Sequence, residues 1–252
     1  MNFISKFTLG ISSYGKAISF VKTHRLWKFL IIPAIINLLL ISGVGWLAIG
    51  SVGDLQDLIS NKLGVGESDS WWSKAADISL QVVIYVLTAV VFVKSYKFLM
   101  LLLLSPALAL LAEKTQNILC KNENSFEMKQ FIKDVLRGIG IVIRNLAIEL
   151  SLLVLLFFLS FIPIFAPFTS ILIILVECYF IGFSMIDYRN EYLKLSASDS
   201  RKIIKKHRFF AIGNGLGMYL MLLVPLFGVL FAPQLAVVAG GLGIYKLEDK
   251  LE

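Results

Sequence analysis

The chain has 252 residues, of which 58% are hydrophobic and 16% charged, with a formal net charge of +7 and a mean hydropathy of +0.81. A water-soluble domain of this size needs more polar residues to cover its core, so the composition excludes an ordinary soluble protein. Apolar runs at 29–49 and around 78–93 approach the roughly 20 residues of helix that cross a bilayer. The sequence therefore predicts an all-α integral membrane protein, with residues 1–252 forming one membrane domain.

An amphipathic helix that lies in the membrane interface is predicted at residues 3–22. Its bulky side chains recur every three or four residues, which is typical of a helix with one apolar face: Phe3, Phe7, Ile11, Tyr14 and Ile18. The lysines between them do not form the charged region followed by an apolar region that marks a secretory signal.

Two long spanning helices are predicted at 27–49 and 72–97, with an external loop at 51–71 between them. The loop and its flank to residue 74 carry four acidic residues and two lysines, whereas the segment 187–208 carries seven basic and three acidic residues. Because cytoplasmic loops retain positive charge, the basic segment and both termini are predicted to be cytoplasmic.

Two hairpins are predicted at 145–186 and 209–245, each with a turn that contains no charged residue. The turns carry paired prolines, which cannot both lie inside one regular helix: Pro163 and Pro167, then Pro225 and Pro233. The arms of the second hairpin are about 13 residues, or about 20 Å, and the core of a bilayer is about 30 Å thick. Both hairpins are therefore predicted to be re-entrant, with turns that are buried in protein or face a water-filled cavity.

The two hairpins also resemble a weak internal repeat, and two interpretations of it stay open. Repeated broken helices that meet near the middle of the membrane form the sites of many transporters. The alternative is that the hairpins are wedges in one leaflet, which only shape or anchor the protein.

Three stretches are similar to the CysZ family of bacterial sulfate transporters: RLWKFLIIPAIINLLL at 25–40, LLSPALALLAEKTQ at 103–116 and LMLLVPLFGVLFAPQLAVVAG at 220–240. The resemblance extends over nearly the whole chain. It implies a homo-oligomeric permease or channel of the inner membrane, which takes up sulfate for cysteine synthesis. It also implies two long spanning helices and two hairpins that enter only part of the bilayer.

The resemblance implies an anion site at the start of the first spanning helix, where the family carries Gly-Leu-Arg-Arg-Phe. Here Leu26 and Phe29 match, Lys28 keeps the second charge, Trp27 replaces the first arginine, and Arg25 stands in place of the glycine. The candidate substrate-binding residues for sulfate or a related oxyanion are thus Arg25 and Lys28, because a helix N-terminus favours an anion. The alternative is that both are interface anchors that contact lipid phosphates.

Other charges within or beside apolar runs are candidates for a transport pathway or for ion coupling: Glu149, Glu177, Arg144, Lys94 and Lys97. Ionisable groups at membrane depth are costly and usually face a bundle interior or an aqueous path. Glu177 is expected either to carry a coupling proton or to pair with a cation such as Arg144. Lys94 and Lys97 mark the inner interface and share a helix face.

No enzyme motif is found in the sequence, which lacks a phosphate-binding loop, a zinc-protease pair and a hydrolase elbow. No enzyme activity, cofactor or metal is therefore predicted. The basic segment is expected to meet anionic lipid headgroups rather than nucleic acid, and Ser198 or Asp199 to cap its helix. His24 and His207 are expected to be solvated. The alternative to a permease is a membrane-structural or assembly factor without transport activity.

Overall fold

The computed structural model describes residues 2–63, 71–121, 128–224 and 227–248, and their regular structure is helical throughout. The helices are α1 (Phe3–Thr23), α2 (Trp27–Leu63), α3 (Trp71–Leu103), α4 (Ser105–Cys120), α5 (Met128–Ser160), α6 (Ala166–Tyr192), α7 (Ala197–Lys206), α8 (Arg208–Leu222) and α9 (Phe227–Glu248). The prediction of an all-helical protein is confirmed.

Four helical segments of the described chain are long and apolar enough to cross a membrane. They are Trp27–Leu47, Leu136–Ser160, Ala166–Tyr192 and Phe227–Glu248. The first matches the spanning helix predicted at 27–49. In α3, which contains the predicted spanning helix 72–97, the apolar segment found among the described residues is the shorter Val82–Val93.

The chain divides into two compact units, of which the smaller is Asn37–Met100. Within it the Tyr96 hydroxyl donates a hydrogen bond of 2.8 Å to Oδ1 of Asn37. The loop predicted at 51–71 is wrong for most of its length, since α2 continues as a helix to Leu63. The acidic residues at 54 and 57 are spaced three apart and helix-compatible, so their polarity did not require a loop. Residues 64–70 lie outside the described chain.

The larger unit, residues 1–36 and 101–252, is built around α8, which lies between α1 and α6. Glycines allow these helices to touch through their backbones. A Cβ on Gly213 would lie 2.1 Å from the Phe7 carbonyl oxygen in α1, and one on Gly215 would lie 1.8 Å from the Cys178 carbonyl oxygen in α6. The glycine-rich run at 212–217 therefore packs tightly against both neighbouring helices.

Helix α1 is a component of this bundle, and it buries only part of its predicted apolar face. The buried side is mostly small and runs through Leu9, Gly10, Ser13, Tyr14, Ala17 and Val21. Of the predicted stripe, Tyr14 is buried, whereas Phe3 and Ile18 are 60% and 43% exposed. Close helix packing selects small residues, so the two ends of the stripe lie on the outer side of α1.

The first hairpin joins α5 to α6 through a turn at 161–165, as predicted from its prolines. Its arms extend beyond the predicted bounds 145–186, because α5 begins at Met128 and α6 ends at Tyr192. Pro167 lies in the first turn of α6, where a missing N–H costs nothing. Backbone N–H groups of the turn bond to nearby carbonyls, for example Phe165 to Ile162 at 2.9 Å. This explains how a turn without charges satisfies its backbone in an apolar environment.

The second hairpin joins α8 to α9, and one of its two prolines is not in the turn. Helix α8 has 15 residues, or about 22 Å, which agrees with the short arm predicted from the sequence. Helix α9 begins at Phe227 and continues through Pro233, so the return arm has 22 residues rather than about 13. Pro225 lies outside the described chain. Whether either hairpin is re-entrant stays a prediction.

Helix α7 begins one turn earlier than its predicted cap. Ser196 is the N-cap and accepts a hydrogen bond of 3.1 Å from the Asp199 N–H, while its hydroxyl donates to the Asp199 carboxylate at 2.7 Å. The expected cap at Ser198 or Asp199 is therefore wrong. Asp199 lies at position N3 of α7, three residues after the N-cap Ser196, as in a capping box.

Candidate functional site

The predicted anion site lies at the junction of α1 and α2, and its backbone is a Schellman motif. The Leu26 N–H bonds to the Val21 carbonyl at 3.0 Å, and the Arg25 N–H bonds to the Lys22 carbonyl at 3.4 Å. Arg25 has a φ of 54°, the left-handed conformation that such a motif requires at this position. The conformation costs a residue with a Cβ about 1–2 kcal/mol, which gives a physical reason for the glycine in the CysZ pattern.

The side chains of this junction divide into a buried set and an exposed set. Leu26 and Leu30 are buried, at 5% and 0% exposure. Arg25 and Lys28 have exposed side chains, and Trp27 is 45% exposed between them. Two exposed cations beside a helix N-terminus provide charge and N–H groups that suit an oxyanion. The arrangement thus offers the chemistry of the candidate site, and it also suits a lipid phosphate.

A second polar group lies between α5, α6 and α8. Glu177 and Glu149 are buried, at 8% and 3% exposure. The Tyr219 hydroxyl donates a hydrogen bond of 3.2 Å to Oε2 of Glu177, and Glu149 lies close enough to act on Tyr219 electrostatically. Arg144, the expected partner of Glu177, has an exposed side chain and lies within electrostatic range of Tyr179. The structure therefore brings the two predicted carboxylates together around a tyrosine.

A third group, which the sequence analysis missed, fastens α5, α6 and α7 to one another. The Arg137 guanidinium donates two hydrogen bonds to the Asp187 carboxylate, at 3.1 and 3.2 Å, and lies 3.9 Å from Glu191. The Ser200 hydroxyl donates to the same carboxylate and accepts a bond of 2.9 Å from the Asn190 amide. Arg137 and Asp187 are 50 residues apart, so no local spacing could have paired them.

A small open cleft lies beside this ion pair, between α4, α5 and α6. Its lining includes Ser105, Ser184, Asp187, Tyr188 and Glu191. Its two carboxylates repel an anion, and the Arg137 guanidinium is already occupied by Asp187. The cleft is therefore a poor site for sulfate.

His207 is buried, at 2% exposure, and the expectation that it is solvated is wrong. Its Nε2 bonds to the Glu248 carboxylate at the end of α9, which also pairs with Lys206 at 3.0 Å. Burial lowers the pKa of His207, the nearby Lys6 and Lys206 lower it further, and Glu248 opposes the shift. The exposed His24 agrees with expectation. The side chains of Lys94 and Lys97, the remaining candidates, lie outside the described part of the chain.

Comparison with known proteins bears on this chain as a whole. Residues 13–233 match the family described as "Sulfate transporter CysZ/Etoposide-induced protein 2.4". The chain is also 26% identical over 227 residues to the "Sulfate transporter CysZ" of Pseudomonas fluorescens, an alignment that covers 89% of this chain and 88% of that protein. With its long apolar helices, the chain is a multi-pass membrane protein, and it belongs to the family of CysZ sulfate transporters and etoposide-induced protein 2.4.

Proposed function

We propose that this protein is a permease or channel that takes up sulfate, or a related oxyanion, across the bacterial inner membrane to supply cysteine synthesis. The observation that carries the proposal is the match to a sulfate-transporter family over residues 13–233, which includes the first hairpin and α8 of the second. We further propose that the protein acts as a homo-oligomer with both termini in the cytoplasm. The charge balance of 187–208 supports this orientation.

Within this function, Arg25 and Lys28 bind the anion as it enters or leaves the membrane. Arg25 offers two parallel N–H donors to two sulfate oxygens, and Lys28 adds a point charge one turn along α2. Both side chains are exposed, so an anion reaches them without rearrangement of the core. Trp27 stands in place of an arginine, so one positive charge of the CysZ pattern is missing at position 27. Arg25, two residues earlier, supplies a positive charge instead.

The carboxylates Glu149 and Glu177 are the proposed coupling group. Both carboxyl groups are buried close to Tyr219, and ionisable groups at membrane depth usually face a bundle interior or an aqueous path. A proton that binds here and is released on the other side would compensate part of the charge of the anion. If coupling occurs, uptake by the Glu177→Gln variant should no longer respond to an imposed pH gradient.

Uptake of radiolabelled sulfate into proteoliposomes tests the transport function. We expect uptake above that of empty liposomes, with inhibition by sulfite as a chemically similar oxyanion. Uptake at the level of the leak, from protein that elutes as an intact oligomer, would overturn the proposal. It would favour the alternative of a membrane-structural or assembly factor.

Calorimetry on purified protein tests the site. Replacing both Arg25 and Lys28 by Gln should weaken sulfate binding by about ten- to a hundredfold, because charge-assisted hydrogen bonds are worth about 1.5–3 kcal/mol each. Unchanged affinity in this variant would assign both cations to lipid anchoring.

The matched control restores the CysZ pattern with Arg25→Gly, Trp27→Arg and Lys28→Arg. It should bind sulfate at least as well as the natural sequence. It should also unfold at a higher temperature, because glycine relieves the left-handed strain at position 25 by about 1 kcal/mol.

A further inference from the structure

The junction of α1, α7 and α8 gathers aromatic rings and cations at one place on the surface. The Lys6 ammonium donates a hydrogen bond of 3.4 Å to the Lys206 carbonyl at the end of α7. The Phe3 ring lies 5.6 Å from the Phe209 ring, and the Arg208 guanidinium carbon lies 5.1 Å from the centre of the same ring. Side chains from three helices therefore form one continuous surface.

The charge of this surface is positive and incompletely balanced. Lys6, Lys206 and Arg208 contribute three cations, and within the described chain the carboxylate they reach is that of Glu248, 3.0 Å from Lys206. That carboxylate is shared with His207. Lys6 and Arg208 thus keep charge that an anion could neutralise.

The apolar part of the surface is open to the surroundings. Phe3 and Ile4 are each 60% exposed, and both precede Lys6 by no more than one turn of α1. Cations beside exposed apolar side chains are typical of segments that lie at the boundary between lipid headgroups and acyl chains. Helix α8 begins here and leads into the apolar second hairpin, so the junction stands where the chain leaves water.

Lys202, another basic residue of α7, has different surroundings. Lys202 lies 2.9 Å from the Asp199 carboxylate, three residues earlier in the same helix. Its charge is therefore compensated locally, and the excess of positive charge lies at the C-terminal end of α7, where the rings are.

We propose that this junction is a binding site for an anionic membrane lipid. The headgroup phosphate lies between Lys6 and Arg208, and Phe3 extends into the acyl region beside the lipid chains. Occupancy of the site would hold α1 against the α7–α8 junction and fix the depth at which the second hairpin enters the membrane. The proposal is independent of whether the protein transports sulfate.

Native mass spectrometry of the detergent-purified chain tests the site. We expect dioleoylphosphatidylglycerol to remain bound to the protein at lipid concentrations at which dioleoylphosphatidylcholine does not bind. Each cation near an anionic membrane surface contributes about fivefold to binding, so Lys6→Gln with Arg208→Gln should weaken phosphatidylglycerol binding roughly 25-fold. Phe3→Ala, which keeps every charge, should also weaken it, and Lys202→Gln should change it less than about twofold.

Three results would overturn the proposal: equal binding of the two lipids, unchanged binding in the Lys6→Gln, Arg208→Gln variant, or an equal loss in Lys202→Gln. Displacement of the lipid by millimolar inorganic phosphate, with no effect of Phe3→Ala, would assign the site to free phosphate instead. Gel filtration of each lipid-free variant checks its fold. If the double variant is not monodisperse, the single variants Lys6→Gln and Arg208→Gln decide, each with about a fivefold loss expected.

Discussion

The two proline-turned hairpins of this protein look alike in sequence, yet they are held in place by different forces. In the first hairpin, the end of α5 and the turn that follows it carry large apolar side chains that remain exposed. Phe158, Phe161 and Ile164 are 64%, 69% and 72% exposed. The firm attachment is at the opposite end, where Arg137 of α5 pairs with Asp187 of α6.

The second hairpin is enclosed by other helices along most of its length. Every residue of α9 from 232 to 241 is buried, and α8 touches its neighbours through glycines. Asn214 adds two buried hydrogen bonds. Its side-chain amide donates to the Ala236 carbonyl at 3.2 Å, and its backbone carbonyl accepts from the Tyr14 hydroxyl at 2.7 Å. Close backbone packing therefore replaces the ion pair of the first hairpin.

The comparison shows that prolines and side-chain size carry different information. Prolines mark where each chain segment can turn. The size of the residues along the arms decides whether a helix faces lipid or other helices, because only small residues permit backbone contact. The similarity between the hairpins thus does not extend to their packing.

The largest effect is expected from breaking the ion pair at the base of the first hairpin. Arg137→Gln leaves the buried Asp187 carboxylate without its paired cation, and removing one partner of a buried pair typically costs about 3–5 kcal/mol. We expect a lower thermal midpoint in detergent and less monodisperse protein. Arg137 and Asp187 side chains are 15% and 8% exposed, so solvent does little to screen the loss.

Two variants control this experiment. The double variant Arg137→Gln, Asp187→Asn removes both charges and should recover part of the stability. Lys202→Gln breaks a solvent-exposed pair and should leave the midpoint unchanged within error. If Arg137→Gln and Lys202→Gln behave alike, the first hairpin is not held by its ion pair.

A smaller effect is expected from overpacking the second hairpin. In the Gly215→Ala variant, the added methyl group would lie 1.8 Å from the Cys178 carbonyl oxygen. Helices α6 and α8 must therefore separate, which typically costs about 1–3 kcal/mol of stability. Gly140→Ala is the matched control in the first hairpin, because nothing lies within 4 Å of its Cβ position. That variant should gain up to about 1 kcal/mol from helix propensity. Equal midpoints for the two variants would contradict the role assigned to glycine packing.

Much of the fold could be predicted from local patterns in the sequence. Hydropathy identified a membrane protein, the prolines located the turn at 161–165, and the glycines at 213–217 indicated close packing. The ends of α5 and α6 could not be placed, because charged residues suggested helix ends near the interface. In the structure Asp187 and Glu191 are buried inside α6, since Arg137 pairs with them from a distant part of the chain.

The candidate site shows the same limit. The resemblance to the CysZ pattern located Arg25 and Lys28, but only the backbone reveals that Arg25 occupies a left-handed position. The Glu177–Tyr219 hydrogen bond and the His207–Glu248 pair also join residues about 40 positions apart. Pairings of this kind depend on how helices pack, which periodicity within one helix does not encode.

The smallest effect concerns pH and distinguishes the bases of the two hairpins. The base of the first hairpin carries the Arg137–Asp187 ion pair, whereas the base of the second carries His207, a residue type whose charge changes near neutral pH. Burial holds the pKa of His207 below the ordinary value, with Lys6 and Lys206 adding to the shift and Glu248 opposing it. As the pH falls below about 6.5, the unfolded chain therefore binds a proton that folded His207 does not, and stability falls until the folded pKa is passed.

The thermal midpoint of the natural sequence should drop more between pH 7.5 and pH 5 than that of His207→Gln, whose amide can still donate to Glu248. His24→Gln, which alters an exposed histidine, should retain the full drop. An identical drop in all three proteins would show that His207 contributes nothing to the pH dependence of stability.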